Sequence, residues 1–234
     1  MLGSDNEYVL RYIMTRIILE RHGQSIGNAL RKYLGHTNLG LSELGVSQAA
    51  MATEALKDEH IDAIWSSDLD RAYQTALPHA KLRNIEIKTS VNLRELFVGD
   101  WEGADVDYLV REHYDAFVLK WLGEFGTFTF PGGESVLHGA ERMYNELIKI
   151  AGENEGKVVL VATHAALIRA FWCKISNIEP AKMGAAFPFP TNASFTTVDF
   201  DGERFIPIEF SRDGHIIMDE SAKTQGNVGK IKAL

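Results

Sequence analysis

Cysteine is nearly absent from this sequence, since Cys173 is the only one among 234 residues. A chain with one cysteine cannot close an internal disulfide, so the sequence excludes a disulfide-stapled fold and is typical of a reducing compartment. Phe171, Trp172 and Ile175 lie close to this cysteine in the sequence. A thiol among such apolar neighbours is predicted to be a buried packing group rather than a nucleophile.

Long hydrophobic runs are also missing. No uninterrupted apolar stretch approaches the roughly 18 residues that a membrane-spanning helix needs. The initial residues, MLGSDNEYVLRYIM, carry acidic side chains and no small-residue cleavage site, which argues against a signal peptide. Because Met14 opens a stretch that resembles the start of a domain, residues 1–13 are expected to be an N-terminal extension. The expected location is cytoplasmic, without a membrane partner.

Positive charge is in deficit, with 24 lysines and arginines against 32 aspartates and glutamates and a formal net charge of −8. This balance opposes general attraction to nucleic acid, so any anion must be bound locally. The sequence also lacks the G-x-x-x-x-G-K-[ST] nucleotide loop, the G-x-G-x-x-G fingerprint and the G-x-S-x-G elbow. No compact His/Cys/Asp spacing predicts a metal site, and no cofactor is expected.

What the sequence does contain is an alternation of apolar strand-like runs with helical patterns. Strands are predicted at 16–21, 61–67, 85–90 and 157–164, and helices at 41–60, 68–82, 104–124, 135–152 and 165–175. Pro78 is expected to interrupt or kink the second helix, and Asp201-Gly202 predicts a closing hairpin. The alternation indicates a three-layer α/β/α fold with a mostly parallel central sheet. Residues 92–135 depart from it and are expected to form a helical cap within a single domain, residues 14–234.

Reactive polar side chains follow three of these strands. Arg21 and His22 end the first strand, Arg71 lies in the first turn after the second, and His164 follows the longest. Because ligands of open α/β sheets bind outside the carboxyl ends of the strands, we expect two histidines and two arginines to converge there. Arginine presents forked donors that match phosphate oxygens, and an imidazole with one unprotonated nitrogen is a competent nucleophile. The set suggests phosphoryl transfer to histidine.

Each of these residues also has a simpler interpretation. His22 alone could be a structural histidine that donates a hydrogen bond to a loop carbonyl, and His164 alone could equally be structural. Arg71 could form an ion pair with Asp68 or Asp70, although an arginine opposes the dipole at a helix N-terminus. The coincidence of the three groups at strand ends favours the functional interpretation.

The motifs along the chain resemble the histidine phosphatase superfamily, in the branch that contains cofactor-dependent phosphoglycerate mutases and fructose-2,6-bisphosphatase. RHGQSIGN (21–28) is similar to the R-H-G-x-[ST]-x-x-N signature of that family. Five further segments match in order: LSELGVSQA (41–49), SSDLDRAYQTA (66–76), LRELFVGDWEG (93–103), PGGES (131–135) and VATH (161–164). R-H-G alone is a weak signal, but six ordered segments within residues 16–200 are specific.

The resemblance implies a role for each matching position. His22 would be the nucleophile that becomes phosphohistidine. Arg21, Arg71 and His164 would bind the transferring phosphoryl group and stabilise the charge on its oxygens. Asn28 would donate a further hydrogen bond in the same phosphate pocket.

Glu95 would supply the proton chemistry in this resemblance, first as the general acid for the leaving alcohol and then as the base that activates water. The simpler alternative for Glu95 is a surface glutamate paired with Arg94, and Glu102 is a weaker alternative for the acid. Ala165-Ala166 stand where the family often has two glycines after its second histidine. The backbone N–H of Ala165 would preserve a contact with phosphate.

Within the resemblance, a phosphatase is favoured over a mutase. Glu95 is followed by LFVGDWEG, a pattern typical of phosphatase members, and residues 104–130 are rich in carboxylates but contain only Arg111 and Lys120 as strong cations. We expect a metal-independent phosphomonoester hydrolase that acts through phosphohistidine on a small phosphorylated metabolite. Phosphoglycerate mutase-type transfer and a non-catalytic phosphate-binding protein are the alternatives, and a homodimer is compatible with the sequence.

Aromatic residues of the predicted cap could face this pocket. The candidates are Tyr108, His113, Tyr114, Trp121 and Phe125. The favoured interpretation is that most of them form the apolar face of one amphipathic helix. The positions expected to be buried on that helix are Tyr108, Val110, Phe117, Trp121 and Leu122.

Overall fold

A six-stranded sheet forms the centre of the computed structural model, which describes residues 14–216; the predicted extension at 1–13 lies outside these. The strands are β1 Thr15–Arg21, β2 Ala63–Ser67, β3 Ile87–Ser90, β4 Val158–Thr163, β5 Phe195–Phe200 and β6 Phe205–Arg212. Their order across the sheet is β3-β2-β4-β1-β5-β6. Strands β1 to β4 pair in parallel, and β5 and β6 are antiparallel, which confirms the mostly parallel sheet and the closing hairpin.

Helices cover both faces of this sheet. The α-helices are α1 Ile26–Ala29, α2 Glu43–Ala55, α3 Asp70–Arg83, α4 Val106–Glu112, α5 Val136–Gly152, α6 Ala165–Ile175 and α7 Met183–Ala186. Alternate residues of β1 face different layers, because successive side chains of a strand point to opposite sides. Ile17 and Leu19 pack in the cluster with α5 and α6, whereas Ile18 packs with α2 and α3. The three-layer α/β/α prediction is confirmed.

The segment predicted as one helix over 104–124 is instead divided into two. Helix α4 ends at Glu112, and a π-helical segment follows at Asp115–Leu122. Phe117 and Trp121 are buried as predicted, but Tyr108 is 45% exposed. The prediction of one continuous α-helix is therefore wrong, and Tyr108 is exposed because it does not share the face of α4 that buries Val106 and Leu109.

Pro78 does not interrupt its helix, contrary to that part of the prediction. Helix α3 continues through Pro78 to Arg83. A proline removes the N–H that would bond the carbonyl four residues earlier, which belongs to Gln74. Gln74 lies on the exposed side of the helix, where water can bond that carbonyl, so the helix tolerates the loss.

The single cysteine is a packing group, as predicted. Cys173 is buried within α6, and burial raises the pKa of its thiol to about 11. A thiol with this pKa is almost wholly protonated at neutral pH and is a poor nucleophile. Within residues 14–216, none of the helices is long and apolar enough to cross a membrane.

Candidate active site

The carboxyl ends of β1, β2 and β4 bring the predicted polar residues together. Strands β1 and β4 are paired neighbours with Arg21 opposite Thr163, and the backbone N–H of His22 donates to the carbonyl of Thr163 at 3.0 Å. His164 follows β4 directly, and its ring centroid lies 5.2 Å from that of His22. Arg71 enters from the first turn of α3, after β2. These residues meet because parallel strands end at the same edge.

His22 is held in one tautomer by the backbone. Its Nδ1 lies 2.6 Å from the carbonyl oxygen of Gly23, so Nδ1 carries the proton and donates it. Burial, together with the positive charges of Arg71 and Arg21, lowers the pKa of His22 well below 6.5. The imidazole is therefore neutral at physiological pH, and Nε2 keeps the lone pair of a nucleophile. The contact with a loop carbonyl, which by itself is compatible with a structural histidine, also orients the reactive nitrogen.

Two buried arginines, Arg21 and Arg71, lie beside His22, and within residues 14–216 neither forms a salt bridge with a carboxylate. Arg71 donates from Nη1 to the carbonyl of Thr37 at 3.0 Å and from Nη2 to the carbonyl of Gly35 at 2.7 Å. Arg21 donates from Nη1 to the carbonyl of Pro190. Burial lowers the pKa of both guanidinium groups to about 10, which leaves them charged at neutral pH. Carbonyl oxygens orient these groups without neutralising them, so their charge is left for an anionic ligand.

The alternative ion pair of Arg71 with Asp68 does not form. Asp68 instead accepts two hydrogen bonds from the guanidinium of Arg94, at 2.7 and 2.5 Å. Asp70 is likewise no partner of Arg71; its backbone N–H donates to the side chain of Asn38. The same Arg94–Asp68 pair excludes the surface pairing of Glu95 with Arg94.

Glu95 points into the start of helix α6. Its Oε2 accepts from the N–H of Ala166 and its Oε1 from the N–H of Leu167, both at 3.1 Å, and Oε1 also accepts from Leu96 at 3.0 Å. Burial raises the pKa of Glu95, although these hydrogen bonds and the charge of Arg71 oppose the shift. A carboxyl with a raised pKa beside a cationic pocket can hold a proton and release it during a reaction.

His164 occupies the N-cap position of the same helix, and its side chain is fully buried. Neither ring nitrogen forms a hydrogen bond with the residues that the structure describes. Burial and the charge of Arg71 lower its pKa well below 6.5. A neutral imidazole retains one N–H, which a phosphoryl oxygen could accept.

Asn28 and Ala165, the two remaining predicted residues, line a cavity beside His22, whereas the fully buried His164 is not among its lining residues. Asn28 closes a capping box on α1, because its Oδ1 accepts from the N–H of Ser25 and its own N–H donates to the Ser25 hydroxyl, both at 3.1 Å. The side-chain amide NH2 group of Asn28 takes no part in these two bonds and is available to a ligand. Ala165 lines the cavity as the first residue of α6. The backbone N–H groups of Ala166 and Leu167 donate to Glu95. The resemblance to the family did not predict these hydrogen bonds.

Glu102 supports the site without lining it. Its carboxylate accepts hydrogen bonds from the N–H groups of Gly35, His36 and Thr37 and from the Thr37 hydroxyl, at 2.6 to 3.2 Å. Although burial opposes the change, these bonds hold the pKa of Glu102 below its usual range. The loop so fixed supplies the two carbonyls that orient Arg71. Glu102 is therefore a positioning residue rather than the alternative acid.

Arg142 is a second supporting residue that the sequence reasoning missed. It lies on α5 and donates to the carbonyl of Asn92 at 2.7 Å and to that of Arg94 at 3.0 Å. Its guanidinium also binds Glu134 of the PGGES segment. These bonds fix the backbone immediately before Glu95. The match of PGGES to the family motif pointed to Glu134, but nothing in the sequence predicts that Glu134 binds Arg142.

A cavity with about 780 Å³ of empty space, including its open mouth, joins these groups to the cap. Its polar end is lined by Arg21, His22, Asn28, Arg71, Glu95 and Ala165. Its apolar end is lined by Leu34, Val98, Val106, Trp121, Phe130 and Phe189, with Lys32 and Tyr33 as the polar residues nearby. Of the candidate cap aromatics, Trp121 reaches the cavity, whereas Tyr108 and Tyr114 are exposed.

Arg169 fixes the chain segment that borders both ends of the cavity. Its guanidinium lies 4.3 Å from the ring centroids of both Phe125 and Phe189 and donates to the carbonyl of Gly184 at 2.7 Å. Phe189 lines the apolar end, and Pro190 binds Arg21. A buried cation between two aromatic rings thus joins the cap to the loop before β5. Among residues 14–216, no group of three or more metal-ligating side chains is assembled.

Comparison with known proteins shows which proteins this chain resembles. The model of the histidine phosphatase superfamily (branch 1) matches residues 17–211. A metal-independent phosphoserine phosphatase of Arabidopsis thaliana is 33% identical over 87% of this chain and 84% of its own length. A glucosyl-3-phosphoglycerate phosphatase of Mycobacterium tuberculosis is 34% identical over 77% of this chain and 83% of its own. A structure of a phosphoserine phosphatase variant from Entamoeba histolytica in complex with phosphoserine covers 87% of this chain and 100% of its own, with 26% identity and a TM-score of 0.75.

Proposed function

This chain belongs to branch 1 of the histidine phosphatase superfamily and is a phosphomonoester hydrolase, and we propose that His22 is its nucleophile and Glu95 its general acid and base. The observation that carries the proposal is the contact between Nδ1 of His22 and the carbonyl of Gly23. It leaves Nε2 unprotonated beside two charged arginines, in the arrangement that attack on a bound phosphate requires.

In the first step, Nε2 of His22 attacks the phosphorus atom and the bond to the leaving oxygen breaks. Arg21 and Arg71 balance the charge of the phosphoryl oxygens as it redistributes. His164, Asn28 and the N–H of Ala165 donate hydrogen bonds to the same oxygens. Protonated Glu95 gives its proton to the leaving oxygen, so that an alcohol departs and phosphohistidine remains.

In the second step, Glu95 acts in the opposite direction. As a carboxylate it removes a proton from a water molecule, whose oxygen attacks phosphohistidine. The bond between phosphorus and Nε2 breaks, and inorganic phosphate and neutral His22 are regenerated. The burial of Glu95 supports this double role, because a carboxyl with a raised pKa gains and loses a proton at a modest cost in free energy.

Trapping of the phosphoenzyme tests the nucleophile. Rapid acid-free quenching after addition of labelled p-nitrophenyl phosphate should give an acid-labile, alkali-stable phosphoenzyme, and peptide mapping should place the label on His22. The His22→Ala variant should neither be labelled nor turn over the substrate. Label on another residue, or turnover that survives in His22→Ala, would overturn the assignment.

The proposed mechanism needs no metal ion, because arginines and histidines supply the positive charge and the hydrogen-bond donors. Turnover of p-nitrophenyl phosphate should therefore be unchanged after treatment with EDTA and gel filtration. Loss of turnover that Mg²⁺ restores would reject the mechanism while leaving phosphatase activity itself established.

Hydrolysis is proposed over mutase activity because Arg21 and Arg71 are the only unpaired cations found at the cavity within residues 14–216. The other lining cation, Lys32, is paired with Asp105 at 3.7 Å. An assay with 3-phosphoglycerate should yield inorganic phosphate or nothing, and accumulation of 2-phosphoglycerate would favour the mutase.

We also propose that residues 14–234 form one domain in which residues 92–135 act as the cap, and that the protein is cytoplasmic. The apolar side chains of the cap belong to the same core cluster as β1, β4, α5 and α6, which supports a single cooperative unit. Thermal unfolding should follow one transition by circular dichroism and by tryptophan fluorescence.

A further inference from the structure

The apolar end of the cavity is built from buried, mutually packed side chains. Trp121 and Phe130 have ring centroids 4.7 Å apart, and both are almost completely buried. Phe189 packs on Trp121 with a centroid distance of 5.8 Å and is also held by Arg169. Side chains held in this way cannot easily turn away, so the apolar surface is formed before a ligand arrives.

The positive charge at the cavity matches one phosphate and leaves none for a second anion. A phosphomonoester dianion carries two negative charges, and Arg21 and Arg71 supply two positive ones. Lys32 lies at the far end, but Asp105 is 3.7 Å away and the lysine side chain is 41% exposed. Both side chains of this pair are exposed, so solvent screens the charge of Lys32, and a carboxylate on the leaving group would gain little from it.

One uncharged polar group is available at this end. The ring of Tyr33 lies against Phe117, Trp101 and Phe130 at centroid distances of 5.4 to 6.2 Å. Its hydroxyl makes no hydrogen bond with any residue that the structure describes, and burial raises its pKa well above 10. A neutral phenol can donate one hydrogen bond to a ligand atom but supplies no positive charge to balance a second anion.

On the basis of the proposed phosphatase function, we propose that the preferred substrate is a phosphomonoester whose alcohol is uncharged and mainly apolar. The apolar body would pack against Leu34 and Phe189, the half-buried residues of this end, which are supported by the buried side chains of Val106, Trp121 and Phe130, while the phosphate occupies the polar end. Burial of apolar surface against this wall supplies the selectivity. Phosphorylated amino acids and sugar acids are correspondingly poor substrates.

A pair of alkyl phosphates tests the selectivity without the bias of an activated aryl leaving group. The kcat/KM of benzyl phosphate is expected to exceed that of O-phospho-L-serine and of 3-phosphoglycerate by about tenfold or more. A preference for either carboxylate substrate, with turnover that depends on His22, would overturn the inference but leave the phosphatase function intact. Absence of turnover with all of these and with p-nitrophenyl phosphate would instead overturn the proposed function and the inference with it.

Two leucine variants provide a matched control. Leu34 lines the apolar end and is only half-buried, whereas Leu119 is 53% exposed in the cap and does not line the cavity. Leu34→Ala should raise the KM for benzyl phosphate about three- to tenfold and raise the KM for phosphoserine by a smaller factor. Leu119→Ala should change neither. Equal effects of Leu34→Ala on both substrates would contradict the inference.

Inhibition of the unmodified protein gives a second measurement that does not depend on the folding of a variant. Benzylphosphonate and 3-phosphonopropionate present the same phosphonate with an apolar or an anionic body. The inhibition constant of benzylphosphonate should be about tenfold lower. A lower constant for the anionic compound would reject the apolar site.

Discussion

The two ends of the cavity are built in different ways. The polar end takes Arg21, His22, Arg71 and His164 from the ends of β1, β2 and β4, and Glu95 from the segment after β3. The apolar end takes most of its lining residues from the insertion between β3 and α5. The first arrangement follows mainly from the topology of the sheet, and the second from the packing of one segment.

Replacement of Glu95, the proposed acid at the polar end, should slow the two steps of the reaction to different extents. Glu95→Gln removes a group that both donates and accepts a proton, and kcat should fall by about 10²- to 10⁴-fold. Because p-nitrophenolate leaves without protonation, the first turnover should be affected less than hydrolysis of phosphohistidine. Stopped-flow measurement should show a burst of one p-nitrophenolate per chain. An equal loss of the burst and of the steady state would show that Glu95 does not have this role.

The pH dependence should report the opposite shifts of His22 and Glu95. Burial lowers the pKa of His22, so the nucleophile stays neutral into the acidic range, and it raises the pKa of Glu95, so the acid stays protonated above its usual range. The profile of kcat/KM, corrected for ionisation of the substrate phosphate, should be bell-shaped with its maximum below neutral pH. Each limb should fall about tenfold per pH unit. A maximum above pH 8 would contradict these directions.

The forked donors of Arg71 should matter beyond its charge. Arg71→Lys keeps a cation, but an ammonium group cannot bind the carbonyls of Gly35 and Thr37 and face a phosphate at once. We expect kcat/KM for p-nitrophenyl phosphate to fall by about 10- to 100-fold. Arg94→Lys, which alters the ion pair with Asp68 outside the cavity, is the control and should have a much smaller effect.

Glu102 is expected to affect catalysis by positioning Arg71. Glu102→Gln keeps the shape of the side chain but weakens its hold on residues 35–37, so kcat/KM should fall by about tenfold. In the double variant with Arg71→Lys, the two losses should not add, because both displace the same guanidinium contact. Additive losses in the double-mutant cycle would mean that Glu102 acts independently of Arg71.

The smallest effect is expected at the apolar end. Tyr33→Phe removes one neutral hydroxyl and keeps the aromatic packing, so kcat should be unchanged and KM should change by no more than about tenfold. Steady-state kinetics with benzyl phosphate measures this directly. A fall in kcat comparable with that of Glu95→Gln would place Tyr33 in the chemical step and weaken the contrast between the two ends.

The sequence predicted the polar end better than the apolar end for a physical reason. Arg21, His22 and His164 directly follow buried strands, and parallel strands bring their carboxyl ends together whatever the loops do. The hydrogen bonds of Glu95 to the start of α6 could not be predicted, because they join segments about 70 residues apart. The role of Glu102 was missed for the same reason.

The cap was less predictable because its pattern fits two structures. Residues 104–124 have apolar spacing that suits one α-helix, but the chain changes to a π-helical segment after α4. No local propensity signals this change. Trp121 packs against Tyr33, Phe130 and Phe189, all of which lie outside residues 104–124. These contacts decide the position of Trp121.

The adjacency of Phe189 and Pro190 bears on how readily this enzyme could acquire new substrates during evolution. Phe189 contributes to the wall of the apolar end, and the carbonyl of the next residue orients Arg21. A substitution at Phe189 would alter selectivity and disturb catalysis in the same event. Val106 has no such neighbour, whereas the carbonyl of Gly35, next to Leu34, orients Arg71. Adaptive substitutions should therefore accumulate first at Val106, and laboratory libraries that vary it should retain more active members.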